Sequence, residues 1–257
     1  MNLSEYRKSR MSPKTLQSGA ILIADAHCAP WRTSFIDFLY ALESGEIVTP
    51  QLILMGDVFD MLYGPIPRTY HYNTEGIELL NRLSERLEII YLEGNHDFLL
   101  RNLLPNIEVV AREDQPIVMT YEGQTIAFSH GDSAMGLGYE IYTALIRSPL
   151  VLAFLRTIDT FGGGFIVRWL EAQMKRKSHC RSIENFHTLI EKRLKSLHLD
   201  SIDILVEGHF HQNCSFQFSQ LHYINVGAFA CNERYFTVQS SQNKTLLHEA
   251  VFRKEPR

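Results

Sequence analysis

The chain has 257 residues, long enough for one large domain with a sizeable core. Hydrophobic residues make up 45% and charged residues 21%, the balance of an ordinary soluble globular protein rather than a disordered, fibrous or membrane-spanning one. A net charge of −4 gives no general attraction to nucleic acid, and no nucleic-acid partner is expected.

The first twenty residues, "MNLSEYRKSRMSPKTLQSGA", are polar and carry Arg7, Lys8, Arg10 and Lys14. They lack the apolar core of a signal peptide and read as a partly ordered lead-in to the first strand. Short apolar runs predict strands at Ala20–Ala24, Gln51–Met55, Leu87–Leu92, Gln124–Phe128 and Ile202–Val206. The first, second and fifth are rich in Ile, Leu or Val, as strands covered on both faces are. Between the early strands, "RTSFIDFLYALESG" places its apolar residues on one helical face and stops at Gly45. "NTEGIELLNRLSERL" follows the same pattern, with Asn73 as a candidate N-cap. Alternating strands and helices predict an α/β sheet. The tail from Phe216 reads as several β-strands, which predicts a mixed core of two sheets.

Residues 139–197 break this alternation. Their period is helical, with interruptions at Pro149 and at Gly162-Gly163-Gly164. Arg156 and Asp159 make the segment too charged, and its breaks make it too short, to span a membrane. The expectation is one domain over 1–257 with a helical cap inserted at 139–197. Its apolar residues, among them Leu150, Phe154, Phe161, Phe165 and Trp169, suit an acyl pocket, a membrane-facing surface or an ordinary buried helix pair. The basic run Lys175, Arg176, Lys177 and then Arg181 suits contact with phosphate or anionic lipid, or else a solvated face. Cys28, Cys180, Cys214 and Cys231 include no C-x-x-C pair. The expectation is reduced cysteines and a cytoplasmic location, with possible peripheral attachment at the inner membrane face.

Five apolar runs end in the same kind of residue. They lead into Asp25-Ala26-His27, Gly56-Asp57-Val58-Phe59-Asp60, Gly94-Asn95-His96-Asp97, Ser129-His130-Gly131-Asp132 and Gly208-His209-Phe210-His211. Turn chemistry accounts for Gly, Asn and Asp at strand ends. It does not account for placing five of the chain's 11 histidines there. In open α/β sheets ligands bind beyond the carboxyl ends of the strands, so these loops can converge. Imidazoles with carboxylates suit zinc, manganese or iron. About seven N/O donors exceed one ion's needs and suit two ions roughly 3.5–4 Å apart, sharing a carboxylate and a hydroxide. The two-residue spacing of Asp25/His27 and of His209/His211 predicts side chains on the same side of an extended segment.

Together, in this order, these motifs resemble the calcineurin-like metallophosphoesterase superfamily, and Asn225-Val226-Gly227-Ala228 resembles a further turn of that family. The resemblance implies a four-layer α/β/β/α sandwich and a dimetal hydrolase. It implies one ion on Asp25, His27, Asp57 and His211, and a second on Asp57, Asn95, His130 and His209, with Asp57 bridging. His96, oriented by Asp60, would stabilise or protonate the leaving oxygen, and the ions would be two divalent metals, with Mn²⁺ expected and Fe or Zn as alternatives. Asp97 and Asp132 are read as turn-fixing residues.

Within the superfamily the chain is most similar to the UDP-2,3-diacylglucosamine pyrophosphatases of lipid A synthesis, through "GNHDFLLR", "SHGD", "MKRKSH", "GHFHQ" and "NVGAFACNERYFTV". That similarity implies a lipidic UDP-sugar substrate, cleaved to UMP and an acylated sugar 1-phosphate. The chain departs from the best-known branch, which carries Arg in place of His96 and Glu in place of Asp60, and the acidic residue expected shortly after "SHGD" has no counterpart in "SAMGLGYE", which offers Gly136-Leu137-Gly138. Another phosphoesterase, such as a soluble phosphodiesterase or a phosphoprotein phosphatase, is the alternative. A scaffold that had lost catalysis would be expected to show eroded ligands, and here the whole set is present.

Overall fold

The computed structural model describes residues 14–239 and 246–253. The basic lead-in with Arg7, Lys8 and Arg10 lies outside them. In chain order the elements are β1 (Lys14–Thr15), β2 (Ile21–Ile23), α1 (Ser34–Ser44), β3 (Gln51–Leu54), β4 (Leu62–Tyr63), α2 (Pro67–His71), α3 (Thr74–Leu83), β5 (Glu88–Leu92), β6 (Asp97–Phe98), β7 (Glu108–Val110), β8 (Ile117–Tyr121) and β9 (Gln124–Ser129). Then come α4 (Leu137–Arg147), α5 (Pro149–Phe161), α6 (Phe165–Arg176), α7 (Phe186–Leu194), β10 (Ile204–Glu207), β11 (Cys214–Phe218), β12 (Leu221–Asn225), α8 (Phe229–Asn232), β13 (Arg234–Val238) and β14 (Leu247–Val251).

Twelve strands form two six-stranded sheets, ordered β14-β13-β2-β3-β5-β7 and β1-β8-β9-β10-β12-β11, and β4 pairs with β6 apart from them. Within the first, β2, β3, β5 and β7 run parallel, and within the second β9, β10 and β12 do. Alternate residues of the first sheet face different layers. Ile21, Ile23, Leu52, Leu54 and Tyr91 pack with Phe35, Phe38, Leu79 and Leu80 of α1 and α3. Leu22, Ile53, Ile90 and Leu92 instead meet Ile126, Phe128, Ile204 and Val206 of the second sheet. On the outer face of that sheet, Ala127, Leu205 and Tyr223 pack against Phe186 and Ile190 of α7. The layers are therefore α/β/β/α. Covering both faces of each central strand is why those strands are continuous apolar runs without polar alternation.

Local chemistry sets the helix ends, with one correction. Gly45 closes α1 in a left-handed conformation (φ 80°), its N–H donating to the Leu42 carbonyl. Asn73 does not cap α3 with its side chain; its Nδ2 donates instead to the Met61 and Thr69 carbonyls, 2.8 Å each. The tail forms β11 to β14 but also the short α8, which the strand reading of that segment did not include.

Helices α4 to α7 lie between β9 and β10. Pro149 opens α5, where its missing N–H costs nothing. Asp159, buried near the end of α5, accepts from the backbone N–H groups of Ile166 (2.9 Å) and Val167 (3.1 Å), and so serves the N-terminus of α6. The apolar residues are not those of a buried helix pair. Leu152 and Val167 are buried, whereas Leu150 is 83%, Phe161 88% and Trp169 60% exposed. Among the described residues no single helix is long and apolar enough to cross a membrane. The α4–α5 pair, bent by 61°, reaches that length and composition only jointly.

A second correction concerns the cysteines. Cys180 and Cys231 form a disulfide, with Cα atoms 5.7 Å apart, while Cys28 and Cys214 are free. No spacing motif marks this pair, because the partners are 51 residues apart and are brought together by the fold.

Candidate active site

The parallel order places the ends of β2, β3, β5, β9 and β10 along one rim, and their loops meet there. Backbone bonds lock these loops to one another. Asp25 N–H donates to the Gly56 carbonyl (3.1 Å), His27 N–H to the Asp57 carbonyl (2.9 Å) and Gly208 N–H to the His130 carbonyl (3.0 Å). The segments carrying the paired donors are not extended. Asp25, His27, Asp57, His209 and His211 have φ of 52°, 44°, 50°, 59° and 59°. Each occupies the left-handed region that non-glycine residues seldom adopt. The chain curls there, so the paired side chains converge by curvature rather than by the alternation of a strand.

Two groups of donor atoms result, each with its atoms within 4.8 Å of one another: Asp25, His27 and His211, and Asp57, His130 and His209. His27, Asp57 and His96 form a third such group between them, and His27, Asp60 and His179 a fourth at its edge. Asn95 joins the second group, its Oδ1 standing 3.3 Å from His130 Nε2. His211 Nε2 lies 3.0 Å from Asp25 Oδ1, and His130 Nε2 lies 3.6 Å from Asp57 Oδ1. There is no room for a side chain on the adjoining turns. A Cβ on Gly94 would lie 2.2 Å from Asp57 Oδ1, and one on Gly208 2.6 Å from Asp25 Oδ2.

Several rings are held by Nδ1, which leaves Nε2 for the centre. His130 Nδ1 contacts the Met55 carbonyl at 2.9 Å, His27 Nδ1 the Asp60 carboxylate at 3.1 Å, and His211 Nδ1 the His179 carbonyl. Such outer contacts fix the tautomer a metal ligand needs. Asp60 therefore divides its work differently from the expectation. Its carboxylate lies on His27, while its backbone carbonyl accepts from His96 Nδ1 at 2.8 Å; Asp60 Oδ1 is 3.7 Å from that nitrogen.

Burial pushes the pKa of His27 well down, helped by His96, His179 and His211, and burial with the neighbouring His130 does the same to His209. Both rings are thus held neutral, with a lone pair to offer. Burial also works against the His130 cation, but Asp57, Asp25 and Asp132 outweigh it and raise its pKa to about 9. Burial opposes ionisation of Asp57 as well, yet His130, His96 and His209 hold its carboxyl below the usual range. Buried His27 Nε2 and Asp60 Oδ2 have no hydrogen-bond partner. Orphaned acceptors beside a mixed imidazole–carboxylate set fit a divalent ion.

The remaining motif residues brace this frame. The Asp97 carboxylate accepts from the N–H groups of Asp57, Val58, Phe59 and Gly94 and from the Tyr91 hydroxyl. Asp132 accepts from Arg112 Nε at 2.8 Å. Asn225 donates to the Glu207 and Gly208 carbonyls and accepts from Gln212 N–H, pinning the loop of His209 and His211. Of the basic run, Lys177 reaches the site, its Nζ 3.1 Å from His96 Nε2. Lys175 lies over the Trp31 ring (5.8 Å), and the side chains of Arg176 and Arg181 are exposed.

Sequence reasoning missed two residues. Arg147, at the end of α4, donates to the Gly94 carbonyl (2.8 Å) and lies over Phe98, with Nε and Nη1 buried and unpartnered. His179 is buried beside His27 and Asp60. Its position inside "MKRKSHC" was the available signal, but it follows no apolar strand and so lay outside the strand-end pattern.

No family model matches the chain. Curated proteins named UDP-2,3-diacylglucosamine hydrolase are similar to it. Those of Stutzerimonas stutzeri, Coxiella burnetii (strain RSA 493) and Aliivibrio fischeri are 26%, 23% and 20% identical over 75% of this chain, covering 81%, 80% and 81% of their own lengths. Solved structures with a likeness include Yfce, a phosphoesterase from E. coli (TM-score 0.44, 17% identity, 91% of this chain and 99% of that one). Another is a novel archaeal phosphodiesterase (TM-score 0.46, 14% identity, 90% and 98%). With its four α/β/β/α layers, its paired donor groups at the strand ends and its similarity to these curated hydrolases, the chain is a hydrolase of the phosphoesterase class with an α/β/β/α fold.

Proposed function

We propose that this hydrolase is a dimetal pyrophosphatase. Its substrate is a lipidic UDP-sugar of the UDP-2,3-diacylglucosamine kind, cleaved with one water to UMP and the acylated sugar 1-phosphate. The observation that carries the reading is the pair of donor groups around Asp57 with His96 and Lys177 at their edge. Asp25, His27 and His211 would hold one ion, Asn95, His130 and His209 the other, and Asp57 would lie between them. Such ions, when bound, lower the pKa of a water and neutralise the charge that develops on a phosphate; Mn²⁺ suits these N/O donors, with Fe and Zn as alternatives.

The chain's own groups do the rest. His96 Nδ1 is fixed on the Asp60 carbonyl, so Nε2 is the atom that meets the leaving oxygen. Lys177 brings positive charge to the same point and neutralises a phosphate oxygen. Arg147, anchored on the Gly94 carbonyl with two buried N–H positions to spare, adds a second cation near Asn95. Residues 139–197 act as a helical cap on a single domain. The exposed apolar side chains of α4 to α6 would receive acyl chains or the membrane surface that presents them.

A second reading, a phosphodiesterase or phosphoprotein phosphatase acting on small esters, is favoured by His96 and Asp60 standing where the best-known diacylglucosamine branch carries Arg and Glu. One assay separates the two. UMP release from UDP-2,3-diacylglucosamine in detergent, dependent on Mn²⁺ and abolished by EDTA, supports the pyrophosphatase. Turnover of a generic phosphodiester with no UMP release discards the lipid substrate and keeps the site.

A further inference from the structure

The segment from Lys177 to Ile183, between α6 and α7, forms no helix or strand, yet it is tied down along its length. Lys177 Nζ meets His96 Nε2 at 3.1 Å. The His179 carbonyl accepts from His211 Nδ1. Cys180 is bonded to Cys231. The Arg181 carbonyl accepts from Gln212 Nε2 (2.9 Å), and Ile183 N–H donates to Gln212 Oε1 (2.8 Å). Cys231 belongs to α8, whose first residues bond the end of β2: Phe229 N–H donates to the Ala24 carbonyl (2.9 Å) and Ala230 N–H to the Asp25 carbonyl (3.1 Å). The disulfide therefore fastens this strap to the backbone that carries Asp25.

The His179 ring is turned inward from a strap whose neighbouring residues, Ser178 and Cys180, are exposed. It packs on the His27 ring with centroids 4.0 Å apart, and its Nε2 lies 3.9 Å from Asp60 Oδ1. Neither ring nitrogen has a hydrogen-bond partner. Burying an unpartnered imidazole is unfavourable, so the strap must be held against the site by other contacts. The covalent bond supplies one, and it does so by closing a 51-residue loop.

We infer that His179 is a positioning residue for the His27–His211 half of the metal centre, and that the Cys180–Cys231 disulfide holds it in place. Its carbonyl sets the His211 tautomer. Its ring walls the outer face of His27 and lies against the Asp60 carboxylate that orients His27. The inference rests on the dimetal reading. Losing an outer contact of this kind weakens a metal site roughly 10–100-fold.

The test uses the full chain and Mn²⁺ alone. Bound Mn²⁺ per chain and the two dissociation constants are measured by chelator competition in the wild type and in His179→Ala, His179→Gln, Cys231→Ser and His179→Ala/Cys231→Ser. Cys214→Ser serves as the control thiol variant. The expected result is two ions in the wild type and in Cys214→Ser. One ion should be weakened roughly 10–100-fold in His179→Ala and in Cys231→Ser, with the double variant no weaker than the weaker single one. His179→Gln, which like His179→Ala keeps the backbone carbonyl on His211, restores a polar side chain beside Asp60 and should recover part of the loss. Reducing the wild type with a dithiol, which supplies two electrons and two protons and leaves thiols on Cys180 and Cys231, should reproduce Cys231→Ser without any substitution. Both ions held at wild-type affinity in the folded His179→Ala and Cys231→Ser proteins would overturn the inference alone. A wild type that binds no Mn²⁺ would overturn the dimetal reading and this inference with it.

Discussion

Asn95 and His96 are neighbours in sequence with different surroundings. Asn95 Oδ1 faces His130, whereas His96 is fastened through Nδ1 to the Asp60 carbonyl and meets Lys177 through Nε2. Under the proposed roles, Asn95→Ala should lose bound metal and activity together. His96→Ala should keep its metal and lose turnover by about 10²–10⁴-fold, the range for a general acid. Metal analysis and kcat on the same preparations check this; full activity in His96→Ala would remove His96 from the chemistry. His130 yields a pH prediction. Asp57 and its fellow carboxylates raise its pKa from 6.5 to about 9 in the metal-free protein. A raised histidine pKa contributes stability that is fully present below about pH 6.5 and is lost as pH rises through about 9. Metal needs the neutral ring, so affinity for Mn²⁺ should rise over that same interval. Calorimetry across the interval, with and without chelator, should show the Tm of the chelated protein falling with rising pH; a flat profile would contradict the His130–Asp57 interaction.

At the scale of elements, α7 is clamped to the site by a buried ion pair. Arg193 grips Glu207 at the end of β10 with Nη1–Oε2 at 2.6 Å and Nη2–Oε1 at 2.9 Å. Its Nε donates to the Ser133 carbonyl in the loop that follows His130. One guanidinium thus joins a helix, a strand and a candidate ligand loop. Arg193→Ala leaves the Glu207 carboxylate buried and unpaired, and should cost about 3–5 kcal/mol. Urea unfolding measures it; a loss below about 1 kcal/mol would show the pair to be dispensable. The strands around the site were legible because apolar runs of four to six residues have few other uses in a chain of this composition. The disulfide, the role of Asn73 and the exposure of Leu150 and Phe161 were not, since each depends on what a distant segment places alongside.

For the whole molecule, the donor groups lie on one rim and the apolar helices α4 to α6 stand beside it. Leu150, Phe154, Phe161, Phe165 and Trp169 are all exposed. Burying one Leu or Phe is worth about 1.5–3 kcal/mol. If this face receives lipid, the protein should partition onto anionic phospholipid vesicles, and Leu150→Asp with Phe161→Asp should reduce that partitioning at least about tenfold. Cosedimentation measures the effect. Equal partitioning of the variant and the wild type would leave these helices without a lipid role.

Sequence by itself determined the strand ends, the seven candidate ligands Asp25, His27, Asp57, Asn95, His130, His209 and His211, and the helical character of 139–197, because each is written in local spacing and in residue types that have few alternative uses. Tertiary structure alone decided the left-handed turns that make those candidate ligands converge, the placement of the Asp60 carboxylate on His27, and the nearness of Lys177, among four basic candidates, to His96. It alone brought in His179 and Arg147. The reason is physical: a side chain's chemistry is local, but its neighbours arrive from strands and helices tens of residues away, and only packing fixes which of them face one another.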